Sequence, residues 1–409
     1  MQNKIKQHKN KIVSKEIQLI MDKFNIVGCQ AAAVLKDKLI WSDAYGYRNI
    51  ETKDLVTEYT MFRIASITKL FTATAIMQLV ELKLIDLNQD ISHYLGFKVR
   101  NPKFPNSYIT LMQILTHTSS LNSDDASNSV YAKFIKDGHS NFSLQLIELF
   151  DENGKYFTKE IWGDWKPGDQ WMYSNIGAII CGAIIEKVTK LRFDHYIKQN
   201  IFEPLEMKNV AFSYSNFNKS HELANIYEKN KDTNEYKVSI DDARQSGYSK
   251  THWDQYIIGN HGGLFEPQGG LRTSAVELSK FLRAHMLNGN LNGQQILGQK
   301  TSKLMTSTQW SREKNNHFFS KMGLGLHISH DFLPGYEEMI GHAGEAYGLI
   351  SNLYWHEEKQ FGIIFILNGS EFDLSEDSRF EVEKELAEVI YKHVIEEQLL
   401  KRCKVNNKK

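Results

Sequence analysis

The sequence predicts an α+β fold: an antiparallel sheet built from both ends of the chain, flanked by terminal helices, with a mostly helical part inserted between. Three observations predict it. Residues 12–25 space Ile12, Ile17, Ile20, Met21 and Phe24 as on a helix, and two strand-like runs follow, 29–35 and 39–45, across the polar turn Lys36-Asp37-Lys38. The far end reverses that order. Residues 349–356 and 361–367 read as strands joined by the charged turn 357–360, and Phe380, Leu386, Val389, Ile390 and Val394 mark a helix after them. Between the ends, residues 70–84 and 176–188 are apolar on nearly every face, which is the pattern of buried helices. A sheet made of both termini and covered by the terminal helices accommodates all three.

Each part follows from its composition. The chain reads as one domain over residues 1–409, with a sheet-containing part at 12–65 plus 260–400 and a mostly helical part at 66–259. Stretches 120–140 and 213–260 are rich in polar residues and read as surface loops or insertions. Residues 1–11 and 401–409 are basic tails, read as solvated ends. No internal repeat or long low-complexity linker divides the chain.

The bulk numbers exclude several classes. With 49 basic and 49 acidic residues the formal net charge is zero, and no basic stripe offers a surface for nucleic acid. A hydrophobic fraction of 41% excludes wholesale disorder. The three cysteines, Cys29, Cys181 and Cys403, form neither a disulfide framework nor a metal-ligand spacing. The histidines form no zinc pattern, so neither metal nor cofactor is expected. No stretch is apolar enough to span a membrane, and Lys15, Glu16, Asp22 and Lys23 interrupt any apolar core of a leader. The expectation is a cytoplasmic protein, or a periplasmic or extracellular one if a leader has been removed. Nothing in the sequence speaks to the oligomeric state.

Three short motifs carry chemistry. In Ser66-Ile67-Thr68-Lys69, just before the first buried helix, the hydroxyl and ammonium fall on one helical face, three residues apart. A lysine there can take the serine's proton if neutral, or favour a partner's anion if charged. Tyr173-Ser174-Asn175 precedes the second buried helix; a tyrosine beside a lysine can act as general base, and the asparagine amide can donate to and accept from a substrate amide. His342-Ala343-Gly344 stands directly before the C-terminal strands, where small residues let a substrate backbone lie against a strand edge and the histidine offers a hydrogen bond or a charge to a substrate carboxylate. Taken singly, each has an ordinary structural reading, and each has a second copy: Ser311 to Lys314, Tyr47 to Asn49, Tyr214 to Asn216, and His261 to Gly263.

The ordered set resembles the class C β-lactamase family and its relatives, the DD-carboxypeptidases, D-aminopeptidases and serine esterases of the penicillin-recognising fold. Further blocks share the likeness: Phe62-Arg63-Ile64-Ala65 ahead of Ser66, Ile114-Leu115-Thr116-His117-Thr118-Ser119-Ser120-Leu121, Pro167-Gly168-Asp169, Ile201-Phe202-Glu203-Pro204-Leu205, and Gly269-Gly270-Leu271-Arg272-Thr273-Ser274. Recognisable segments run from about residue 28 to 369. The resemblance implies a β-lactamase/transpeptidase-like fold and discounts the second copies by their order in the chain. It also implies a serine hydrolase that forms an acyl-enzyme on an amide or ester: a D-amino-acid peptide, an ester or a β-lactam. Ser66 would be the nucleophile, with Lys69 and Tyr173 sharing the proton work. Asn175, His342 and Gly344 would bind substrate, and the backbone N–H groups of Ser66 and Glu345 would form the oxyanion hole. The partner is then a small-molecule or peptide substrate.

Two departures from the family pattern stand out. His342 occupies the position where the β-lactamases carry lysine, which favours peptidase, amidase or esterase chemistry over efficient β-lactam hydrolysis. Ser120 replaces the usual glycine, so a different turn is expected there. Trp162, Trp165 and Trp171 are expected mainly to pack the helical part. The alternative readings are a penicillin-binding sensor that acylates without turning over, and a catalytically silent interaction protein.

Overall fold

The computed structural model describes residues 2–122, 129–212, 222–230, 232–233, 235–240, 254–312, 318–330, 332–336, 338–371 and 379–400. Its centre is a nine-stranded antiparallel sheet. The strands are β1 (Gly28–Leu35), β2 (Lys38–Asn49), β3 (Asp54–Leu55), β4 (Trp310–Ser311), β5 (Lys321–Met322), β6 (His327–Ser329), β7 (Met339–Ala346), β8 (Leu349–His356) and β9 (Phe361–Leu367). Their order is β4-β5-β6-β7-β8-β9-β1-β2-β3, so the two ends of the chain meet where β9 pairs with β1. Cys29 lies opposite Leu367 and Leu35 opposite Phe361.

β1 and β9 are buried along their whole length because helices cover both faces. Successive side chains of a strand point to opposite faces. Ala32 and Val34 join one core with helix α4 (Ala275–Met286), through Leu278, Phe281 and Leu282. Cys29, Ala31 and Ala33 join another with α1 (Gln2–Lys23) and α5 (Glu381–Ile390), through Ile17, Ile20, Leu386 and Ile390. The terminal helices therefore cover one face only. Helix α4, capped by the Ser274 hydroxyl accepting from the N–H of Glu277 at 3.3 Å, covers the other.

The inserted part holds α2 (Thr68–Glu81) and α3 (Asn175–Thr189), whose residues are buried on almost every face. Two regions expected to be surface loops contain regular structure. Val130–Gly138 is a helix that buries Tyr131 and Phe134, and Ile226–Lys229 pairs with Tyr236–Ile240, burying Ile226 and Tyr227. Apolar side chains in these otherwise polar runs reach the core and order the backbone around them. His342-Ala343-Gly344, expected just ahead of the strands, lies within β7, which pairs with both β6 and β8. Ser120 keeps a left-handed backbone (φ +58°) despite lacking glycine's freedom; Asn101 Nδ2 donates to its hydroxyl at 3.1 Å and the Gly163 N–H to its carbonyl at 2.8 Å.

No described helix is long and apolar enough to cross a membrane. Among the described residues no His, Cys, Asp and Glu side chains gather in a group that could hold a metal ion. Cys29 and Cys181 are buried, which raises both thiol pKa values, that of Cys181 to about 12. Tyr214, Lys314, Cys403 and the C-terminal basic tail lie outside the described residues.

Candidate active site

Ser66 sits in the turn Ala65–Ile67 that opens into α2. Ala65 has a left-handed backbone (φ +44°), a conformation that costs a non-glycine residue about 1–2 kcal/mol and so needs surroundings that impose it. Two sides impose it. The Ile64 N–H donates to the Leu271 carbonyl at 2.9 Å, and the Leu271 N–H donates to the Thr68 hydroxyl at 3.1 Å. From β8, the Ser351 hydroxyl donates to the Ile64 carbonyl at 2.8 Å.

Lys69 follows in the first turn of α2 and is 5% exposed. Its ammonium donates to Ser66 Oγ at 3.0 Å, Asn175 Oδ1 at 2.6 Å and the Gln268 carbonyl at 2.7 Å. Three acceptors match the three donors of a charged lysine, which is how a cation tolerates burial. The same nitrogen lies 4.8 Å from the centre of the Tyr173 ring.

Tyr173 and Asn175 stand at the start of α3, where the Ser174 hydroxyl accepts from the Gly177 N–H at 3.3 Å. His117 clamps this segment from both sides. Its carbonyl accepts from the Met172 N–H at 2.8 Å, its Nδ1 accepts from the Ser174 N–H at 3.1 Å, and its ring lies 4.5 Å from that of Tyr173. The Leu-Thr-His-Thr segment was visible in the sequence, but this clamp requires the two segments to be placed together.

β7 forms the opposite wall. At Gly344 a Cβ would lie 2.4 Å from Ser351 Oγ, 2.6 Å from the Ile64 carbonyl and 3.1 Å from the Ser66 nitrogen, so only glycine lets the strand approach the serine turn this closely. β6 pairs with β7 only at residues 339–341, so the edge of residues 342–346 facing it has no strand partner among the described residues. Ser66, Tyr173, Asn175, His342, Gly344 and Glu345 border one cavity of about 310 Å³, with Lys69 behind Ser66. All seven residues singled out in the sequence therefore meet at one place. Trp171 also lines it, stacked on Trp310 and Phe319, whereas Trp162 packs in the core against Phe150. His261 is buried against Phe134, and Tyr47 lies on β2; neither borders the cavity.

Three histidines surround the reacting groups: His117, His342 and His327. His327, on β6, was not singled out in the sequence, because a lone histidine on a three-residue strand carries no motif. Its ring stacks on that of His342 at 4.0 Å. Burial lowers the pKa of all three, and the charge of Lys69 lowers them further, that of His342 to about 3. His342 Nδ1 lies 2.5 Å from the Ala343 carbonyl, where it can only donate. His342 is thus neutral at neutral pH and does not supply the charge that its position suggested.

The family described as Beta-lactamase matches residues 13–388 of the chain. Protein flp of Staphylococcus aureus (strain N315) is 31% identical over 223 residues, 54% of this chain and 41% of that protein. Beta-lactamase-like protein 4 of Dictyostelium discoideum is 25% identical over 352 residues, 82% of this chain and 55% of its own length. The chain thus spans about half the length, or less, of these curated relatives. Among solved structures, the octameric penicillin-binding protein homologue from Pyrococcus abyssi superposes with a TM-score of 0.68 at 25% identity, covering 88% of this chain and 73% of that one. The D-amino acid amidase from Ochrobactrum anthropi SV3 gives a TM-score of 0.68 at 20% identity over 94% of this chain and 99% of its own, a likeness of fold. The chain belongs to the Beta-lactamase family, with its β-lactamase/transpeptidase-like fold.

Proposed function

We propose that this protein is a serine hydrolase that cleaves amides or esters through an acyl-enzyme on Ser66. The observation that carries this reading is the single ammonium of Lys69 reaching Ser66 Oγ, Asn175 Oδ1 and the Gln268 carbonyl beside the Tyr173 ring, at the head of a cavity bordered by a strand edge that has no strand partner among the described residues.

With its three donors engaged, Lys69 acts as a fixed cation rather than as the base. Its charge favours the Tyr173 phenolate, which takes the Ser66 proton as Oγ attacks the carbonyl carbon. The tetrahedral oxyanion is held by the backbone N–H groups of Ser66 and Glu345, a reading supported by the close approach of Gly344 to the Ser66 nitrogen. Collapse expels the amine or alcohol, which takes the proton back from Tyr173. Water then attacks the ester on Ser66 by the same proton route in reverse and releases the acid. The substrate backbone lies along residues 342–346, and Trp171 supports it. The fold shared with amidases, together with histidine in the lysine position, favours amide, peptide or ester substrates, D-amino-acid derivatives among them, over efficient β-lactam hydrolysis.

The test is intact mass after incubation with a fluorophosphonate probe, with p-nitrophenyl ester turnover measured alongside, on wild type and Ser66→Ala. We expect one adduct and multiple turnover on wild type, both absent in the variant. An adduct without turnover would replace the hydrolase by an acylated sensor. The absence of any adduct on wild type would overturn the reading and favour a silent interaction protein.

A further inference from the structure

We infer that the stacked imidazoles of His342 and His327 form a specificity subsite that accepts an uncharged or hydrogen-bond-donating substrate group and excludes a carboxylate. The inference rests on Ser66 being the nucleophile of this cavity, and it assigns a role to His327 that the sequence did not.

The first argument is the direction of the His342 proton. Because Nδ1 donates to the Ala343 carbonyl at 2.5 Å, the neutral ring presents a bare lone pair at Nε2. Nε2 is buried and has no hydrogen-bond partner among the described residues, on a side chain that borders the cavity. An unpartnered buried acceptor of this kind is completed by a donor brought in by the substrate.

The second argument is the stack itself. His327 lies 4.0 Å from His342, its Nδ1 is 3.1 Å from the Tyr354 hydroxyl, and its Nε2 is likewise buried and unpartnered among the described residues. Two imidazolium rings at that distance would repel each other strongly in a buried setting, so the pair cannot become a double cation. The ionisable groups facing it are Lys69 and His117 from the helical side, Tyr173, Tyr354 from β8, and Glu345 and Glu383 around the cavity. Lys69 opposes protonation of either ring, in line with the low pKa values of both.

The third argument is the lining. The described residues bordering the cavity include two carboxylates, Glu345 and Glu383, and neither a lysine nor an arginine. A carboxylate entering here would give up its hydration and meet the His342 lone pair, while the Lys69 ammonium behind Ser66 is already engaged by three acceptors.

The test uses a matched pair of thioesters, N-benzoyl-D-alanyl thioglycolate and its terminal carboxamide, with thiol release normalised to each compound's hydroxide rate. Wild type should favour the carboxamide at least tenfold in kcat/KM, and the ratio should stay flat from pH 8 to pH 5. His342→Lys should raise kcat/KM for the carboxylate at least tenfold. His342→Gln, which offers a donor as well as an acceptor at similar size, should shrink the preference below threefold and serves if the lysine variant fails to fold. Wild-type preference for the carboxylate, equal rates on both thioesters, or a swing towards the carboxylate as pH falls to 5 would each overturn the inference. So would failure to turn over the carboxamide by an enzyme that hydrolyses p-nitrophenyl acetate, since the neutral compound is the one the subsite should accept. Loss of p-nitrophenyl acetate turnover is read separately: if Ser66→Ala leaves it unchanged, the assignment of the nucleophile fails, not the subsite.

Discussion

On the helical wall of the cavity, the ammonium of Lys69 is matched by three acceptors, and the residues flanking Tyr173 are clamped by His117. On the strand wall, His342 and His327 each present a buried nitrogen that has no partner among the described residues, beside a strand edge that likewise has none among them. The difference separates two tasks. Groups that must stabilise charge in the transition state work best when fixed before substrate arrives, because no reorganisation is then needed. Groups that select a substrate gain discrimination by being left unsatisfied, since a ligand that fails to complete them leaves a buried polar atom unpaired.

Breaking the first wall should have the largest effect. Lys69→Met keeps most of the side chain's length but removes the cation that reaches Ser66, Asn175 and Gln268. We expect kcat/KM on a p-nitrophenyl ester to fall by about 10³-fold, within the range for positioned proton transfer. A loss below tenfold would remove Lys69 from the mechanism.

Gly344→Ala attacks the junction of the two walls. The added methyl would meet Ser351 Oγ and the Ile64 carbonyl, the groups that pin the serine turn. Displacing that turn by about 1 Å should lower kcat roughly 10²-fold with KM changed far less. A rise in KM alone would mean that Gly344 serves binding rather than placement of Ser66.

Glu266→Gln tests the support behind the helical wall. Burial would raise the pKa of Glu266, but Arg63, then His139 and Arg272, outweigh it and hold the carboxylate at about 2. Glu266 also has a left-handed backbone (φ +47°), and its carbonyl accepts from the N–H groups of Gly269 and Gly270. This fixes the loop whose Gln268 carbonyl receives Lys69. Because its folded pKa lies below the usual 4.5, the stability it contributes is complete above pH 4.5 and is lost as pH falls towards 2. Removing the charge takes away the buried counter-ion of Arg63 and should cost about 3–5 kcal/mol of stability at pH 7, read by urea unfolding. Catalysis should fall roughly tenfold through the displaced carbonyl. Unchanged kcat in a destabilised protein would restrict Glu266 to the fold.

The sequence revealed these walls unequally. Strands 349–356 and 361–367 were legible to the residue, because both are long and apolar on both faces, whereas β4, β5 and β6 are two or three residues each and carry no period. The helix Val130–Gly138 was hidden in a polar run, its core contact resting chiefly on Tyr131 and Phe134, three positions apart. Ser66 and Lys69 could be found from spacing alone, and Tyr173 and Asn175 from order along the chain. Gln268 could not be found, because it acts through its main-chain carbonyl, which any residue would provide. His327 reaches the site only through the pairing of β6 with β7, a contact that local sequence does not encode.

A buried carboxylate far from both walls supplies the control, with the smallest effect on activity. Glu186 lies eleven residues beyond Asn175 on α3, about 16 Å along the helix. Burial raises its pKa to about 7, although the Tyr256 hydroxyl and the N–H groups of Phe193 and Gly259 partly counter this. Here the folded pKa exceeds the unfolded 4.5, so the sign is opposite to that of Glu266: stability is greatest below pH 4.5 and declines as pH rises towards 7. Glutamine cannot ionise, although its amide nitrogen cannot accept the N–H that one of the two carboxylate oxygens receives. The Tm of Glu186→Gln relative to that of wild type should therefore rise by roughly 2–4 °C between pH 5 and pH 8. Ester turnover should stay within about twofold, because no step is routed through this group. Parallel Tm curves for the two proteins would mean that Glu186 is already ionised in the fold at pH 5. A tenfold loss of turnover would mean that order at the far end of α3 governs Tyr173 and Asn175, and that the helical wall is set by its whole helix rather than by the contacts around Lys69 and His117.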